Sequence, residues 1–122
     1  MLQRRVALLV AGIGGASGIL LGAFGAHLLR TVLELLHSRE MWNTAVLYHL
    51  VHASVLLCLA RETRVWILPF LCFSTGIFLF SGSLYALALT GVPSLGFITP
   101  IGGLLLISGW VTLAFEGWKQ AS

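Results

Sequence analysis

The feature that most constrains this sequence is a stretch of 51 residues, 65–115, without a single Asp, Glu, Lys or Arg. A helix needs about 20 mostly apolar residues to cross the hydrocarbon core of a bilayer, so the stretch is too long for one crossing and suits two. Residues 90–96, TGVPSLG, interrupt it near the middle with the glycine and proline of a turn. The stretch is therefore predicted to be a hairpin of two membrane-spanning helices.

The overall composition agrees with a membrane location. The 122 residues are 58% hydrophobic and 9% charged, whereas soluble domains carry about 25% charged residues. The net charge of +3 comes from basic residues that stand singly or in pairs beside apolar segments, as membrane-edge anchors do, and no nucleic-acid partner is expected. Cys58 and Cys72 lie inside apolar segments without metal-binding spacing, so neither a disulfide nor a zinc site is predicted.

Four uncharged segments are each long enough to cross the membrane. They are residues 6–29, 42–60, 65–89 and 97–115. As helices they measure roughly 28–37 Å, against a hydrocarbon core of about 30 Å. The first is longer than the core of a signal peptide, about 7–15 residues, so it is expected to be retained. The chain is thus predicted to be a single all-α membrane domain, 1–122, built as a four-transmembrane-helix bundle.

The distribution of basic residues predicts the orientation of the bundle. One side of the membrane receives five of them, Arg4, Arg5, Arg61, Arg64 and Lys119. The other side receives two, Arg30 and Arg39. Because Lys and Arg are enriched in cytoplasmic loops, both termini are expected in the cytoplasm.

The connection at residues 30–41 has a helical pattern of its own. Apolar residues recur at helical spacing, at Leu29, Val32, Leu33 and Leu36. Arg30 and Glu34 stand on the other side as an i,i+4 pair. The pattern predicts a short amphipathic helix on the outer surface between the first two spans, and it fits equally well a first helix that continues beyond the bilayer.

The first span has one face with almost no side chain, at Gly14, Gly18, Gly22 and Ala26. Lipid is as apolar as leucine, so membrane helices associate through close van der Waals contact between such faces rather than through a hydrophobic effect. This face is therefore predicted to pack against another helix. Weaker contact surfaces are predicted around Gly82, Gly102 and Gly109.

Eight polar residues fall in the outer halves of the four spans. They are His27, Tyr48, His49, His52, Ser81, Ser83, Tyr85 and Thr99. Polar groups are costly in hydrocarbon unless they are paired, so these side chains are expected to face one another. They form either an outward-opening pocket for a small neutral or amphipathic ligand, or a hydrogen-bonded seam that joins the helices, which is the commoner use of such residues.

Catalytic or cofactor chemistry has little support in the sequence. His27, His49 and His52 match the ligand count of a catalytic zinc, and histidines on facing helices can hold a haem, but neither is favoured and we predict no metal and no cofactor. The chain has no Asp, and its four Glu residues lie outside the spans, which disfavours a proton- or sodium-coupled carrier. Without a catalytic triad, phosphate loop or dinucleotide fingerprint, the protein is not expected to be an enzyme.

Four runs of residues, in order, resemble an uncharacterised family. They are GAFGAH at 22–27, WNTAVLYH at 42–49, FSGSLYAL at 80–87 and TPIGG at 99–103. The chain is similar over nearly its whole length to domain-of-unknown-function family 423, bacterial proteins related to the eukaryotic transmembrane protein 256 group. The resemblance implies a four-helix protein of the bacterial cytoplasmic (inner) membrane, and it brings no established activity or catalytic residue.

The expected function is that of a non-enzymatic structural or accessory membrane protein. Its expected partners are membrane lipids together with other membrane subunits or copies of itself. The alternative is a small binding or transport module, in which the polar residues form an outward-facing pocket.

Overall fold

The computed structural model describes residues 3–122, which form five α-helices and one short 3₁₀ helix. The α-helices are α1 (Arg4–Ala26), α2 (Arg30–Leu35), α3 (Arg39–Arg61), α4 (Ile67–Thr90) and α5 (Ile98–Ala121). The 3₁₀ helix, Pro93–Phe97, leads directly into α5. Residues 3–122 contain no strand, and α1, α3, α4 and α5 are each long and apolar enough to span a membrane. The prediction of an all-α membrane protein with four spanning helices is confirmed.

The helix predicted between the first two spans is present as α2. The chain leaves helical geometry at residues 27–29, so α1 does not continue beyond the bilayer as one helix. Leu33 is fully buried, whereas Arg30 and Glu34 form an exposed ion pair of 3.1 Å on the opposite side. Exposed pairs of this kind contribute at most about 1 kcal/mol, so the burial of Leu33 is what holds α2 in place.

The long helices run alternately up and down and pack in the order α1, α3, α4, α5. Both termini and the turn at residues 62–66 lie at one end, which we call the termini end. The helix α2 and the turn at residues 91–97 lie at the other end, which we call the α2 end. Since α1 and α5 stand at the two ends of this row, most of their surface faces away from the protein.

The contact between α1 and α3 is made by glycines. A Cβ added at Gly18 would lie 2.6 Å from the Leu50 side chain, and Gly14 and Gly22 also face α3. The fourth member of this face is Gly25, which lies under the indole of Trp42, whereas the predicted Ala26 is exposed. With 3.6 residues per turn a row spaced by four drifts around the helix, and a step of three returns it to the α3 side.

The contact between α4 and α5 is closer still. A Cβ added at Gly102 would overlap the backbone of Phe80, so the two helices touch backbone to backbone. Gly109 receives the ring of Phe73, and on the other helix Gly76 receives the side chain of Leu106. Such approach is possible only where side chains are absent, and it provides the van der Waals contact that replaces a hydrophobic driving force in lipid.

Gly82 behaves differently from the other glycines of the predicted contact surfaces. A Cβ at this position would meet nothing within 4 Å. Gly82 instead borders an open groove between α1 and α4.

Buried apolar residues form two clusters. The cluster toward the termini end includes Ala7, Leu56, Phe70, Phe73 and Leu106, and therefore joins all four long helices. The cluster toward the α2 end consists of Leu33, Trp42 and Ala88 with their partly buried neighbours. His49, His52, Ser81 and Ser83 lie in the layer between these clusters, which we call the polar layer.

Substituting Gly102 tests the packing of α4 on α5. We expect Gly102→Ala to lower the free energy of unfolding by about 1–3 kcal/mol, because the added methyl group forces the two backbones apart. Gly12→Ala is the matched control, since its Cβ meets nothing within 4 Å, and it should be neutral or slightly stabilising through helix propensity. Unfolding in mixed micelles, followed by circular dichroism, measures both. Equal stability of the two variants would show that the helices are not in backbone contact.

Candidate functional site

The polar layer is organised around α3, which supplies two buried histidines. His49 and His52 lie at positions i and i+3, about 60° apart around the helix axis. Their hydrogen bonds diverge accordingly, because His49 bonds to residues on α1 and α4, whereas His52 bonds to a residue on α5. The layer therefore has two arms, and each arm joins α3 to different neighbours.

In the His49 arm both ring nitrogens are occupied. Nε2 lies 3.1 Å from the Ser17 hydroxyl on α1, and Nδ1 lies 2.9 Å from the Tyr85 hydroxyl on α4. The Ser17 hydroxyl donates to the carbonyl of Gly14 at 3.1 Å, so the consistent assignment is that Nε2–H donates to Ser17 and Nδ1 accepts from Tyr85. A neutral histidine thus connects three helices.

In the His52 arm the tautomer follows from the partners. Nδ1 lies 2.7 Å from the backbone carbonyl of Tyr48, which can only accept, so Nδ1 carries the proton. Nε2 then accepts from the indole N–H of Trp110 on α5, at 3.1 Å. The rings of Phe73 and Trp110 also pack against His52, with centroids 5.6 and 5.9 Å away.

Hydroxyl groups extend the network between neighbouring helices. Ser81 donates to the carbonyl of Ala45 at 2.7 Å and joins α4 to α3. The hydroxyls of Ser83 and Thr99 lie 2.6 Å apart and join α4 to α5. Toward the α2 end, the Ser38 hydroxyl donates to the Ala88 carbonyl and the Trp42 indole N–H donates to the Leu21 carbonyl. Within residues 3–122 no buried side-chain nitrogen or oxygen lacks a partner.

The structure places six of the eight predicted polar residues in this layer. They are His49, His52, Ser81, Ser83, Tyr85 and Thr99. His27 lies apart and is exposed, because α1 ends at Ala26 and the chain turns away there. Tyr48 lies at the edge and is 42% exposed. In the part of the chain that the structure describes, no three His, Cys, Asp or Glu side chains gather as metal ligands.

Two members of the layer were not among the residues singled out from the sequence, Ser17 and Trp110. Ser17 lies among the glycines of the α1 face, where a polar side chain must meet whatever that face contacts. Trp110 lies within a span, and its indole N–H needs an acceptor when it is not at the membrane surface. Both signals are visible in the sequence, but neither indicates which histidine is the partner.

A groove between α1 and α4 opens beside the His49 arm, with a volume of about 320 Å³. It exists because both helices pack on α3 far more than on each other, and because Gly82 contributes no side chain. Its apolar walls include Ile13 of α1 and Ile77 and Phe78 of α4. The polar groups at the bottom of the groove are engaged in hydrogen bonds within the protein. The groove therefore presents an apolar surface to lipid.

The chemistry open to this layer is limited by what surrounds the histidines. Ser17 is within hydrogen-bond reach of His49, as a nucleophile is of its general base. The third member, however, is the phenol of Tyr85, and the ion pairs found in residues 3–122 lie at the ends of the helices. The layer is thus a neutral network suited to holding helices together or to contacting a neutral molecule.

Comparison with known proteins gives a consistent result. A family model described as a protein of unknown function (DUF423) matches residues 21–103, which include both histidines of α3. The UPF0382 membrane protein of Haemophilus influenzae is 36% identical over 119 residues, 94% of this chain and 95% of that protein. YwdK of Bacillus subtilis is 36% identical over 94% of this chain and 98% of its own length. The UPF0382 inner membrane protein YgdD of Escherichia coli is 35% identical over 89% and 86%, respectively. No solved structure matches the chain significantly.

A double-mutant cycle tests the bond between α3 and α5. We expect His52→Leu and Trp110→Phe to be coupled by about 0.6 kcal/mol, and by no more than about 1.7, the range of interhelical hydrogen bonds measured in membranes. In the control cycle, His52→Leu is combined with Ser108→Ala instead of Trp110→Phe, because the Ser108 hydroxyl bonds within its own helix to Leu104. Its effect should add to that of His52→Leu. Additivity in both cycles, measured by unfolding in micelles, would contradict the His52–Trp110 bond.

Proposed function

The chain belongs to the DUF423 family of membrane proteins, and on this premise we propose that it is a non-enzymatic structural or accessory protein of the bacterial cytoplasmic membrane. The location is supported by four helices of spanning length and by the name of the Escherichia coli relative, an inner membrane protein. The role is supported by the polar layer and by the arrangement of the helices.

The observation that carries the proposal is the internal satisfaction of the polar layer. His49 and His52 each use both ring nitrogens within the protein, and Ser81, Ser83 and Thr99 bond across helix boundaries. A catalytic or transport site needs polar groups aimed at the position of a substrate. Here those groups are directed at neighbouring helices, which is the arrangement of a structural seam.

An accessory role is supported by the outer helices of the row. Most of the surface of α1 and α5 faces away from the protein. On α1 this surface includes Gly12, Gly15 and Ala16, and a Cβ at either glycine would meet nothing within 4 Å. Small residues allow another membrane helix to approach closely, so a further subunit or a second copy fits here.

The proposed orientation places both termini in the cytoplasm. The termini end carries five basic residues, Arg4, Arg5, Arg61, Arg64 and Lys119. The α2 end carries two, Arg30 and Arg39. The excess of Lys and Arg marks the cytoplasmic side.

A second candidate function is the binding of an amphipathic molecule in the groove between α1 and α4. The groove, at about 320 Å³, supports it, because its apolar walls are open to the bilayer and suit a hydrocarbon chain. In this alternative the His49 arm shapes the floor of the groove but remains bonded to Ser17 and Tyr85.

Native mass spectrometry after gentle extraction tests both functions. The accessory role predicts species heavier than the 13.1 kDa protomer by the mass of another subunit or a second copy. A protein found only as an unpartnered monomer would contradict it.

The groove function predicts a small-molecule adduct that is lost in Gly82→Leu, which fills the groove, and kept in Gly12→Leu, which adds the same side chain outside it. An adduct retained equally by both variants would reject the groove.

Single-cysteine labelling tests the orientation. Both native cysteines are first removed by Cys58→Ala and Cys72→Ala. A single cysteine is then introduced either at the α2 end, by Ser94→Cys, or at the termini end, by Ser122→Cys. We expect a membrane-impermeant maleimide to label Ser94→Cys in intact spheroplasts and to label Ser122→Cys only after permeabilisation. The opposite pattern would place the termini outside.

A further inference from the structure

A polar cavity of about 340 Å³ lies at the termini end, between the start of α4 and the last turns of α5. Its polar lining comes from Arg64, in the turn at residues 62–66, and from Glu116 and Gln120 of α5. None of these residues belongs to the polar layer. The cavity, which we call the Arg64 cavity, is therefore a separate feature of the molecule.

The depth of the Arg64 cavity follows from the sequence around it. Arg64 is the last charged residue before the uncharged stretch 65–115, and Glu116 is the first charged residue after it. The two ends of that stretch meet at the cavity, where the apolar spans give way to polar residues. Trp66 also lines the cavity, and tryptophan is enriched at the level of lipid headgroups. The cavity is thus located at the membrane–water boundary.

The charge around the cavity favours an anion. The termini end carries five basic side chains and two acidic ones, Glu62 and Glu116. Lys119 lies 3.9 Å from the Glu116 carboxylate, whereas Arg64 forms no ion pair with any residue in 3–122. A guanidinium offers several N–H donors in a geometry that matches phosphate oxygens. A second copy of the protein would bring the same basic excess to the cavity and would be repelled.

An apolar track leads from the cavity along α4 into the bilayer. Ile67 and Leu68 line the cavity, and Leu71 lies one turn further along the helix. All three side chains are exposed, and Leu68 and Leu71 share one face at positions i and i+3. A ligand with an anionic head and a hydrocarbon tail fits both parts of this surface, whereas a free anion uses only the cavity.

We propose that the Arg64 cavity holds the phosphate group of an anionic membrane lipid, with Arg64 donating to the phosphate oxygens and an acyl chain lying along Leu68 and Leu71. Basic pockets between spanning helices bind anionic lipid headgroups in other membrane proteins. Free phosphate offers the same oxygens, and the hydrocarbon tail is what distinguishes the lipid from it. The site requires only that the protein lies in the membrane, so it does not depend on the accessory role.

The test titrates the full-length protein, in neutral detergent micelles, with phosphatidylglycerol or with phosphatidylcholine of the same acyl chains. Native mass spectrometry counts the bound lipids. We expect wild type to bind phosphatidylglycerol saturably and at least about fivefold more tightly than phosphatidylcholine. Arg64→Gln should weaken phosphatidylglycerol binding about five- to tenfold, because a charge-assisted hydrogen bond is lost.

Arg61→Gln is the matched control, since it removes the same charge at the same end but outside the cavity. It should change the binding of phosphatidylglycerol less than about twofold at about 0.15 M salt, where distant charges are screened. Thermal unfolding of both variants should match wild type, because both side chains are exposed.

Three results would overturn the proposal. Equal weakening by Arg64→Gln and Arg61→Gln would show that the lipid responds to diffuse charge and not to the cavity. Equal affinity of wild type for the two lipids would show that the cavity does not select an anion. Displacement of phosphatidylglycerol by millimolar inorganic phosphate would assign the cavity to a free anion.

Discussion

The structure depends on one constraint, which is that hydrocarbon supplies no hydrogen-bond partner. Backbone groups meet it by forming helices, and side chains meet it by bonding across helix boundaries or to a carbonyl of their own helix. The two histidines of α3 show how far this goes, since His49 bonds to Ser17 and Tyr85 while His52 bonds to a backbone carbonyl and to Trp110. The position of α3 inside the helix row follows from these bonds, because each arm holds it to a different neighbour.

Hydrogen bonds near 3 Å require helices that approach closely, and glycine makes this possible. Gly18 brings α1 against α3, and Gly102 brings α5 against the backbone of α4. Where a glycine lacks an opposing side chain, the result is space rather than contact, as at Gly82 beside the groove. The same residue type therefore produces both a backbone contact and an apolar opening between the spans, depending on what faces it.

The proposed function follows from the same principle. A polar layer that satisfies itself indicates a structural role, and the outer faces of α1 and α5 provide surfaces for further subunits.

The sequence by itself determined the four spans, because length, hydropathy and missing charge are local properties that can be counted along the chain. It also indicated that the polar residues must pair, and the runs around Trp42 and Ser81 indicated the family. The tertiary structure decided the pairs: it joined Ser17 and Trp110 to the histidines, left His27 outside where α1 ends, and turned Gly25 rather than Ala26 toward α3. These choices depend on the rotation and depth of each helix relative to its neighbours, which only the packing of the whole chain sets.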